Sequence, residues 1–313
     1  MAQGTRVSSI ADRVTVQGYM AAISAPTLVG LGVAATSRLT AYPALASQGA
    51  RYLVGAVILL AVFRGRVRPT AWPNLRDVFG LVALSAIGLA LFSFASVEAL
   101  TDASVAGVGV IIGCVPIVLA IIGAVVERRR PERLVVVAAI VVTLGSLLVN
   151  DVGALGSRGL FFAVVAMLSD ASFSLLSVGL VRKFGPIPTA FATTATAGVA
   201  MLAAAGPAGG GVPMPTVAEL VAIVYLGVTV SAASFVLWYR GLAILGVARA
   251  GLFVSMIPIG SLIGQAILAV RSLTIGAVAG VAIVFCGLLL GSRASRLGLQ
   301  AQDGLDLNGG TKG

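Results

Sequence analysis

The chain repeats itself at an offset of 142 residues. When residues 98–148 are aligned with residues 240–290, 14 of the 51 positions are identical, among them Pro116 with Pro258 and Gly145 with Gly287. A chain this rich in Ala, Val, Leu and Gly would match itself by chance at about five positions, so the excess indicates an internal duplication. Both copies are strongly apolar, and a duplicated apolar unit is typical of secondary transporters, whose substrate site lies where the halves meet.

The composition places most of this chain in lipid. It is 58% hydrophobic and 10% charged, whereas soluble domains carry about 25% charged residues. A transmembrane helix needs about 20 apolar residues, and ten stretches reach or approach that length. They lie near residues 18–36, 44–63, 78–97, 105–126, 134–149, 159–181, 188–206, 217–238, 248–270 and 273–291. The sequence therefore predicts an all-α integral membrane protein with ten transmembrane helices.

The basic residues, which give a net charge of +10, act as an orientation signal. With the N-terminus inside, 17 of the 21 basic residues fall in cytoplasmic segments, which predicts that both termini are cytoplasmic. Each half has five spans, an odd number, so the second half must enter the membrane from the opposite side as an inverted repeat. We expect a cytoplasmic tail at 1–17, repeats at 18–150 and 151–291, a second tail at 292–313, and a location in the cell (inner) membrane.

Several kinds of chemistry are missing from the sequence. It contains no histidine and only two cysteines, Cys114 and Cys286, each inside an apolar run. The commonest metal ligand and general base is therefore absent, and no metal-ligand cluster is recognisable. There is no glycine-rich phosphate loop with its lysine and no nucleophile elbow. We expect no enzyme activity, no cofactor and no metal site, and no basic face with interleaved aromatics points to nucleic acid.

A charge at membrane depth is costly, so the few ionisable residues within spans are candidates for function. Asp170 follows the start of the sixth span by 11 residues, or about 17 Å, which is near the midplane of a core about 30 Å thick. It is either a cation or proton site in a cavity or part of a structural ion pair. Arg51 lies about two turns into the second span, where it could hold a substrate carboxylate, join helices, or pair with Asp170 or Glu98.

Glu98 ends the third span near the predicted outer surface, as a solvated helix end or as a gate that attracts cations. Among the aromatic residues, Phe94 and Tyr225 are deep enough to line a cavity, while Trp238 and its neighbour Tyr239 could belong either to a cavity or to an interfacial belt. Gln265 is the one amide deep in the ninth span, and it lines the cavity or bonds a neighbouring helix.

Pro116 and Pro258 lie mid-span at matching positions of the two copies. A proline removes one backbone hydrogen bond and permits a bend. Paired bends in the two halves would suit a gating motion, and a static kink is the alternative. We therefore treat both prolines as hinge candidates.

The pattern resembles the EamA family of the drug/metabolite transporter superfamily. The resemblance lies in the 5+5 inverted repeat, in the prolines midway along the fourth and ninth spans, and in three short phrases. These are Ser96-Val97-Glu98-Ala99-Leu100, Trp238-Tyr239-Arg240-Gly241-Leu242 and Gln48-Gly49-Ala50-Arg51-Tyr52-Leu53. The sixth span departs from the family pattern, because Ala171-Ser172-Phe173 stands where a Trp-Ala step is expected.

The resemblance implies a carrier with a small-molecule substrate, embedded in the bilayer. We expect an exporter of small amphipathic metabolites or amino-acid-like compounds that works by alternating access, with proton exchange through Asp170 as a hypothesis. Efflux of drugs or toxic compounds, or metabolite uptake, is the first alternative. A lipid-carrier flippase or a non-transporting membrane protein ranks below these.

Overall fold

The computed structural model describes residues 2–39, 41–66, 72–99, 101–103, 105–126, 128, 130–149, 156–207, 212–267 and 274–291. Within these ranges it does not describe the side chains of residues 2–12, 33, 34, 37, 105–107, 110, 149 and 265. The described part of the chain is helical and contains no β-strand. Seven of its helices are long and apolar enough to cross a membrane, and three shorter apolar helices accompany them.

We number the helical elements of this described part α1 to α10 in chain order. They are α1 (Ala2–Thr36), α2 (Ala44–Phe63), α3 (Leu75–Ala99), α4 (Val105–Ile112 and Val115–Val126), α5 (Arg133–Val149), α6 (Ser157–Phe184), α7 (Pro186–Ala205), α8 (Val217–Leu245), α9 (Val247–Gly251, Leu252–Ser255 and Met256–Ile267) and α10 (Ile275–Gly291). Each predicted span coincides with one of these elements.

The helices repeat with the offset that the sequence shows. Four helices of the first half begin 142 residues before their counterparts, and α2 and α7 also end with the same offset. The matching starts are Ala44 with Pro186, Leu75 with Val217, Val105 with Val247, and Arg133 with Ile275. The duplication therefore extends well beyond the 51 aligned positions, to stretches where the side chains have diverged.

The equal starts of α3 and α8 have a local cause. Asn74 accepts a hydrogen bond from the backbone of Asp77, whose carboxylate in turn accepts from the backbone of Asn74. Thr216 and Glu219, 142 residues later, form the same reciprocal capping box. A capping box satisfies two of the backbone N–H groups that a helix start leaves free, which fixes where each helix begins. Both helices then pass through a π-helical turn, Ala86–Leu91 in α3 and Gly227–Ser234 in α8.

Glycines let paired helices of the two halves approach closely. A Cβ atom on Gly49 of α2 would lie 2.8 Å from the Leu202 side chain of α7, and one on Gly198 of α7 would lie 2.8 Å from Leu53 of α2. Residue numbers rise along α2 as they fall along α7, so these two counterparts cross in antiparallel fashion. Close contact between small residues supplies the van der Waals packing that holds helices together in lipid.

The structure departs from the sequence-based expectations in two places. First, α1 begins at Ala2, within the expected tail at 1–17, because no proline before Pro26 interrupts the helix. Second, the fourth and ninth spans are broken helices, as described below. The predicted joint near 150–153, the glycines at 209–211 and the tail at 292–313 lie outside the described residues.

Candidate functional site

A cavity of about 790 Å³ lies between the two halves of the chain. It is lined by α1, α2, α3, α4 and α5 from the first half and by α6, α8 and α9 from the second. Its lining residues cluster toward the end of the molecule where α2 begins and α3 ends, which we call the cavity end. We call the opposite end, where α3 and α9 begin, the closed end.

Asp170 lies on the cavity wall, half-buried on α6. Within the described part of the chain, no side chain or backbone group forms a hydrogen bond or ion pair with its carboxylate. The structural ion pair that was one of two predictions for this residue is therefore not present there. An acid without a partner, facing a chamber at membrane depth, leaves a negative charge available to a ligand.

Arg51 also lines the cavity, but its polar atoms are occupied by neutral neighbours on its own helix. Its Nε donates to Gln48 Oε1 at 2.6 Å and its Nη2 donates to the Tyr52 hydroxyl at 3.0 Å. The guanidinium carbon also lies 4.5 Å from the centre of the Tyr52 ring. Arg51 pairs with neither Asp170 nor Glu98 among the described residues, so the predicted pairing with an acid is wrong there.

Aromatic rings form one side of the cavity. Phe173 of α6 and Phe235 of α8 lie 5.0 Å apart between ring centres, and Tyr52 of α2 lies 6.2 Å from Phe235. Trp238 completes this wall, and its indole N–H donates to the Ser174 hydroxyl at 3.1 Å. The rings therefore join α2, α6 and α8 around one surface.

Trp238 and Tyr239 are not interfacial residues. They are only 7% and 0% exposed, because both lie inside the bundle where α8 packs between its neighbours. The belt interpretation is therefore wrong for both, and the cavity interpretation fits the position of Trp238. Pro26 of α1 and Phe92 of α3 also lie at the cavity wall.

The remaining candidates lie elsewhere. Phe94 and Glu98 line a smaller side pocket of about 340 Å³, which shares Ala44, Ser93 and Val97 with the main cavity. Tyr225 is 39% exposed and lies outside the lining of both cavities. The side chain of Gln265 is not described, so the structure gives no position for it.

The helices α4 and α9 break next to the two predicted hinge prolines. In α4 the break is a turn at Gly113 and Cys114, just before Pro116. In α9 it is the 3-10 segment Leu252–Ser255, just before Pro258. Proline lacks the N–H of a regular helical bond and its ring clashes with the preceding turn, which accounts for both positions. Hinge motion itself stays a prediction.

The same two helices meet at one end only. At the closed end, a Cβ atom on Gly123 would lie 2.9 Å from Val247, and one on Gly251 would lie 2.6 Å from Leu119. At the cavity end, Gly109 and Ser261 both line the cavity. These two residues are the counterparts of Gly251 and Leu119 at the offset of 142. A duplicated frame is thus closed at one end and open at the other.

Polar contacts join the halves at both ends. At the closed end, Arg249 pairs with Glu132 at 2.9 Å, Lys183 pairs with Asp77, and Arg240 donates to Gln17. These contacts link α9, α6 and α8 of the second half to the first.

At the cavity end, Glu98 forms an ion pair with Arg158 of α6 at 2.6 Å. The prediction of a solvated helix end for Glu98 is thus refined to an inter-half contact. The Tyr42 hydroxyl donates to the Pro213 carbonyl at 2.6 Å. Burial, and then the nearby Glu219 carboxylate, raises the pKa of the Tyr42 phenol, which keeps it protonated as a donor.

The sequence analysis missed four residues of this cavity wall: Gln48, Phe173, Ser174 and Phe235. The first three stood within segments singled out for other reasons. The only available signal was helical spacing, because Phe173 and Ser174 lie three and four residues after Asp170 and so share its face. Phe235 carried no signal of its own. Among the described residues, no group of three or more acidic or cysteine side chains is arranged to hold a metal ion.

Comparison with known proteins assigns the architecture. The model of the EamA-like transporter family matches residues 16–151 and again residues 157–293. The uncharacterized transporter YetK of Bacillus subtilis is 21% identical over 87% of this chain and 86% of its own length. An uncharacterized transporter of Archaeoglobus fulgidus is 26% identical over 70% of this chain and 78% of its own length. A solved crystal structure has a TM-score of 0.76 at 17% identity and covers 91% of this chain and 99% of that one.

Proposed function

This chain belongs to the EamA-like transporter family, and we propose that it is a ten-helix secondary transporter that works by alternating access. It is a multi-pass membrane protein made of two repeated halves. In our proposal all ten helical elements cross the bilayer, five per repeat, and the repeats at 18–150 and 151–291 are inverted. The antiparallel crossing of the counterparts α2 and α7 supports the inversion.

One observation carries the proposal: the contact between α4 and α9 is formed at the closed end and absent at the cavity end. In an inverted repeat the two ends are equivalent, so a structure closed at one end has a mirror state closed at the other. Exchange between these states would expose the same cavity alternately to the two sides of the membrane. The breaks beside Pro116 and Pro258 are where α4 and α9 can bend.

The distribution of basic residues supports an orientation. Arg182, Lys183, Arg240 and Arg249 lie at or near the closed end. Because short cytoplasmic segments are enriched in Lys and Arg, we propose that the closed end faces the cytoplasm and that both termini do too. The cavity then opens outward, which is the state in which an exporter releases its substrate. We place the protein in the cell (inner) membrane.

For the substrate we propose a small amphipathic metabolite or an amino-acid-like compound. The volume of about 790 Å³ lies in the range of sites for small molecules, about 300–1,000 Å³. The aromatic wall suits an apolar group, and Arg51 and Asp170 suit charged groups. Asp170 is also our candidate for a proton site, and protons are then the coupling ion.

The experiment is transport by the purified chain reconstituted into liposomes. Radiolabelled amino acids, amines and dyes are loaded, and their loss is followed with and without a pH gradient. We expect saturable efflux of at least one compound, which Asp170→Asn slows. Efflux at the rate of protein-free liposomes for every compound would overturn the transporter proposal, and an unchanged response of Asp170→Asn to the gradient would overturn the proton role.

A further inference from the structure

The cavity contains two opposite charges, and its surroundings accommodate only one of them. The Arg51 guanidinium has the Gln48 carbonyl oxygen, the Tyr52 hydroxyl and the face of the Tyr52 ring around it. Within the described residues the Asp170 carboxylate has no such neighbour. A carboxylate removed from water is unfavourable unless it is paired. The charge that most needs a partner from solution is therefore negative.

The rings beside Asp170 favour the same sign of ligand. Phe173 follows Asp170 by one helical turn, and Phe235 stacks near Phe173 with 5.0 Å between ring centres. The face of an aromatic ring is the negative part of its quadrupole, so a ring wall attracts cations and repels anions. Arg51 lies about one and a half turns closer to the cavity end than Asp170, by residue count from the helix starts Ala44 and Ser157.

The hydrogen bond between Trp238 and Ser174 fixes a large apolar surface in this wall. With its indole N–H already satisfied at 3.1 Å, Trp238 offers a ligand its ring face and no free donor. Leu89, Val230 and Ile257 line other parts of the cavity. An occupant with a sizeable apolar body therefore has more surface to contact than a small polar solute.

We propose that this cavity binds an amphipathic organic cation, an amine or a quaternary ammonium compound. Its positive group lies against Asp170, and its apolar body lies on the wall formed by Phe173, Phe235 and Trp238. The inference rests on the proposed function in one respect, namely that the cavity is the transport site. It goes further by assigning the sign of the ligand's charge and the residue that recognises it.

Trp238 provides a direct reading of occupancy. The chain has two tryptophans, and Trp72 is 94% exposed, far from the buried Trp238. Replacement Trp72→Phe leaves Trp238 as the single reporter. The full chain with this change is purified in detergent and titrated with tetraphenylphosphonium and with tetraphenylborate, two probes of the same shape and opposite charge. Trp238→Phe, which retains Trp72, corrects for probe in the micelle.

We expect the phosphonium to quench Trp238 saturably and to bind at least tenfold more tightly than the borate. Asp170→Asn should weaken phosphonium binding at least tenfold. Asp77→Asn makes the same chemical change at the closed end, away from the cavity, and should leave binding unchanged. Asp170→Glu, which keeps the charge, should bind within a few-fold of the parent, and this comparison holds even if the Asn variant does not fold.

Equal or tighter binding of the borate would overturn the inference, as would saturable phosphonium binding that Asp170→Asn leaves unchanged. Absence of saturable phosphonium binding would also overturn it. None of these results bears on the transporter proposal, which is tested separately by efflux from liposomes. A carrier that moves neutral or anionic compounds and fails this titration would retain the proposed function and lose the assigned charge.

Discussion

Gly145 and Gly287, which are 142 positions apart, make equivalent contacts where α5 crosses α10. A Cβ atom on Gly145 would lie 2.7 Å from the backbone nitrogen of Val284, and one on Gly287 would lie 2.9 Å from the backbone nitrogen of Val142. Val142 and Val284 are themselves counterparts at the same offset. One contact is thus the image of the other, which supports a two-fold relation between the repeats.

We predict that Gly145→Ala and Gly287→Ala destabilise the protein by similar amounts. Each added methyl group would meet backbone atoms, which cannot move aside as a flexible side chain can. Overpacking of this kind costs about 1–3 kcal/mol, so the thermal midpoint in detergent should fall for both. The double variant reports on one shared crossing, so its effect should differ from the sum of the two.

Gly179→Ala is the matched control. Gly179 lies mid-helix in α6, is exposed, and would bring a Cβ atom within 4 Å of no neighbouring atom. Alanine is the better helix former by about 1 kcal/mol, so this change should leave the midpoint unchanged or raise it. A fall in the midpoint for Gly179→Ala equal to that for Gly145→Ala would contradict the assignment of the effect to packing.

The positions of the helices could be predicted from the sequence because the duplication imposes them. Apolar length predicted α2 at 44–63, which is where the helix lies, and the offset then gives α7 at Pro186–Ala205. The capping boxes at Asn74 and Thr216 are local signals of the kind that a sequence displays openly. Depth in the membrane was also accessible, since rise per residue converts sequence position to depth.

The direction in which a side chain points could not be predicted in the same way. Phe92 and Phe94 have nearly the same depth, yet successive even positions of a helix point to opposite sides, and only Phe92 reaches the main cavity. Arg51 was expected to seek an acid, because the sequence does not reveal that Gln48 and Tyr52 converge on its guanidinium. Both outcomes depend on how α2 and α3 are rotated in the bundle.

We predict that Asp102→Ala weakens the junction between the halves at the cavity end. One carboxylate oxygen of Asp102 accepts hydrogen bonds from the backbone N–H groups of Arg158 and Gly159, each at 3.1 Å, and so caps the start of α6. Loss of a cap costs about 0.5–2 kcal/mol. The thermal midpoint should fall, and Asp102→Asn, which keeps an oxygen acceptor, should recover part of the loss. The neighbouring Thr101→Ala, which removes only a local bond to the Glu98 carbonyl, is the control and should change the midpoint less.

We predict that Ser174→Ala loosens the aromatic wall. The indole N–H of Trp238 would lose its acceptor at 3.1 Å, at a cost of about 1–3 kcal/mol for an unsatisfied donor. In the Trp72→Phe background, acrylamide should then quench Trp238 more strongly. Ser172→Ala on the same helix is the comparison, since Ser172 does not line the cavity. Identical quenching in the two variants would show that the hydrogen bond does not position Trp238.

The last prediction concerns the state that this structure does not display. Leu119 and Gly251 touch at the closed end, and their counterparts Ser261 and Gly109 both face the cavity. If the repeats exchange roles, Gly109 and Ser261 come together as Leu119 and Gly251 separate. In a chain whose native cysteines Cys114 and Cys286 are replaced by alanine, the pair Gly109→Cys with Ser261→Cys should cross-link under mild oxidation and stop efflux from liposomes. The pair Leu119→Cys with Gly251→Cys should trap the opposite state and also stop efflux, and reduction should restore transport in both. Cross-linking of the second pair together with no cross-linking of the first, in a chain that transports, would contradict a mirror state built on α4 and α9.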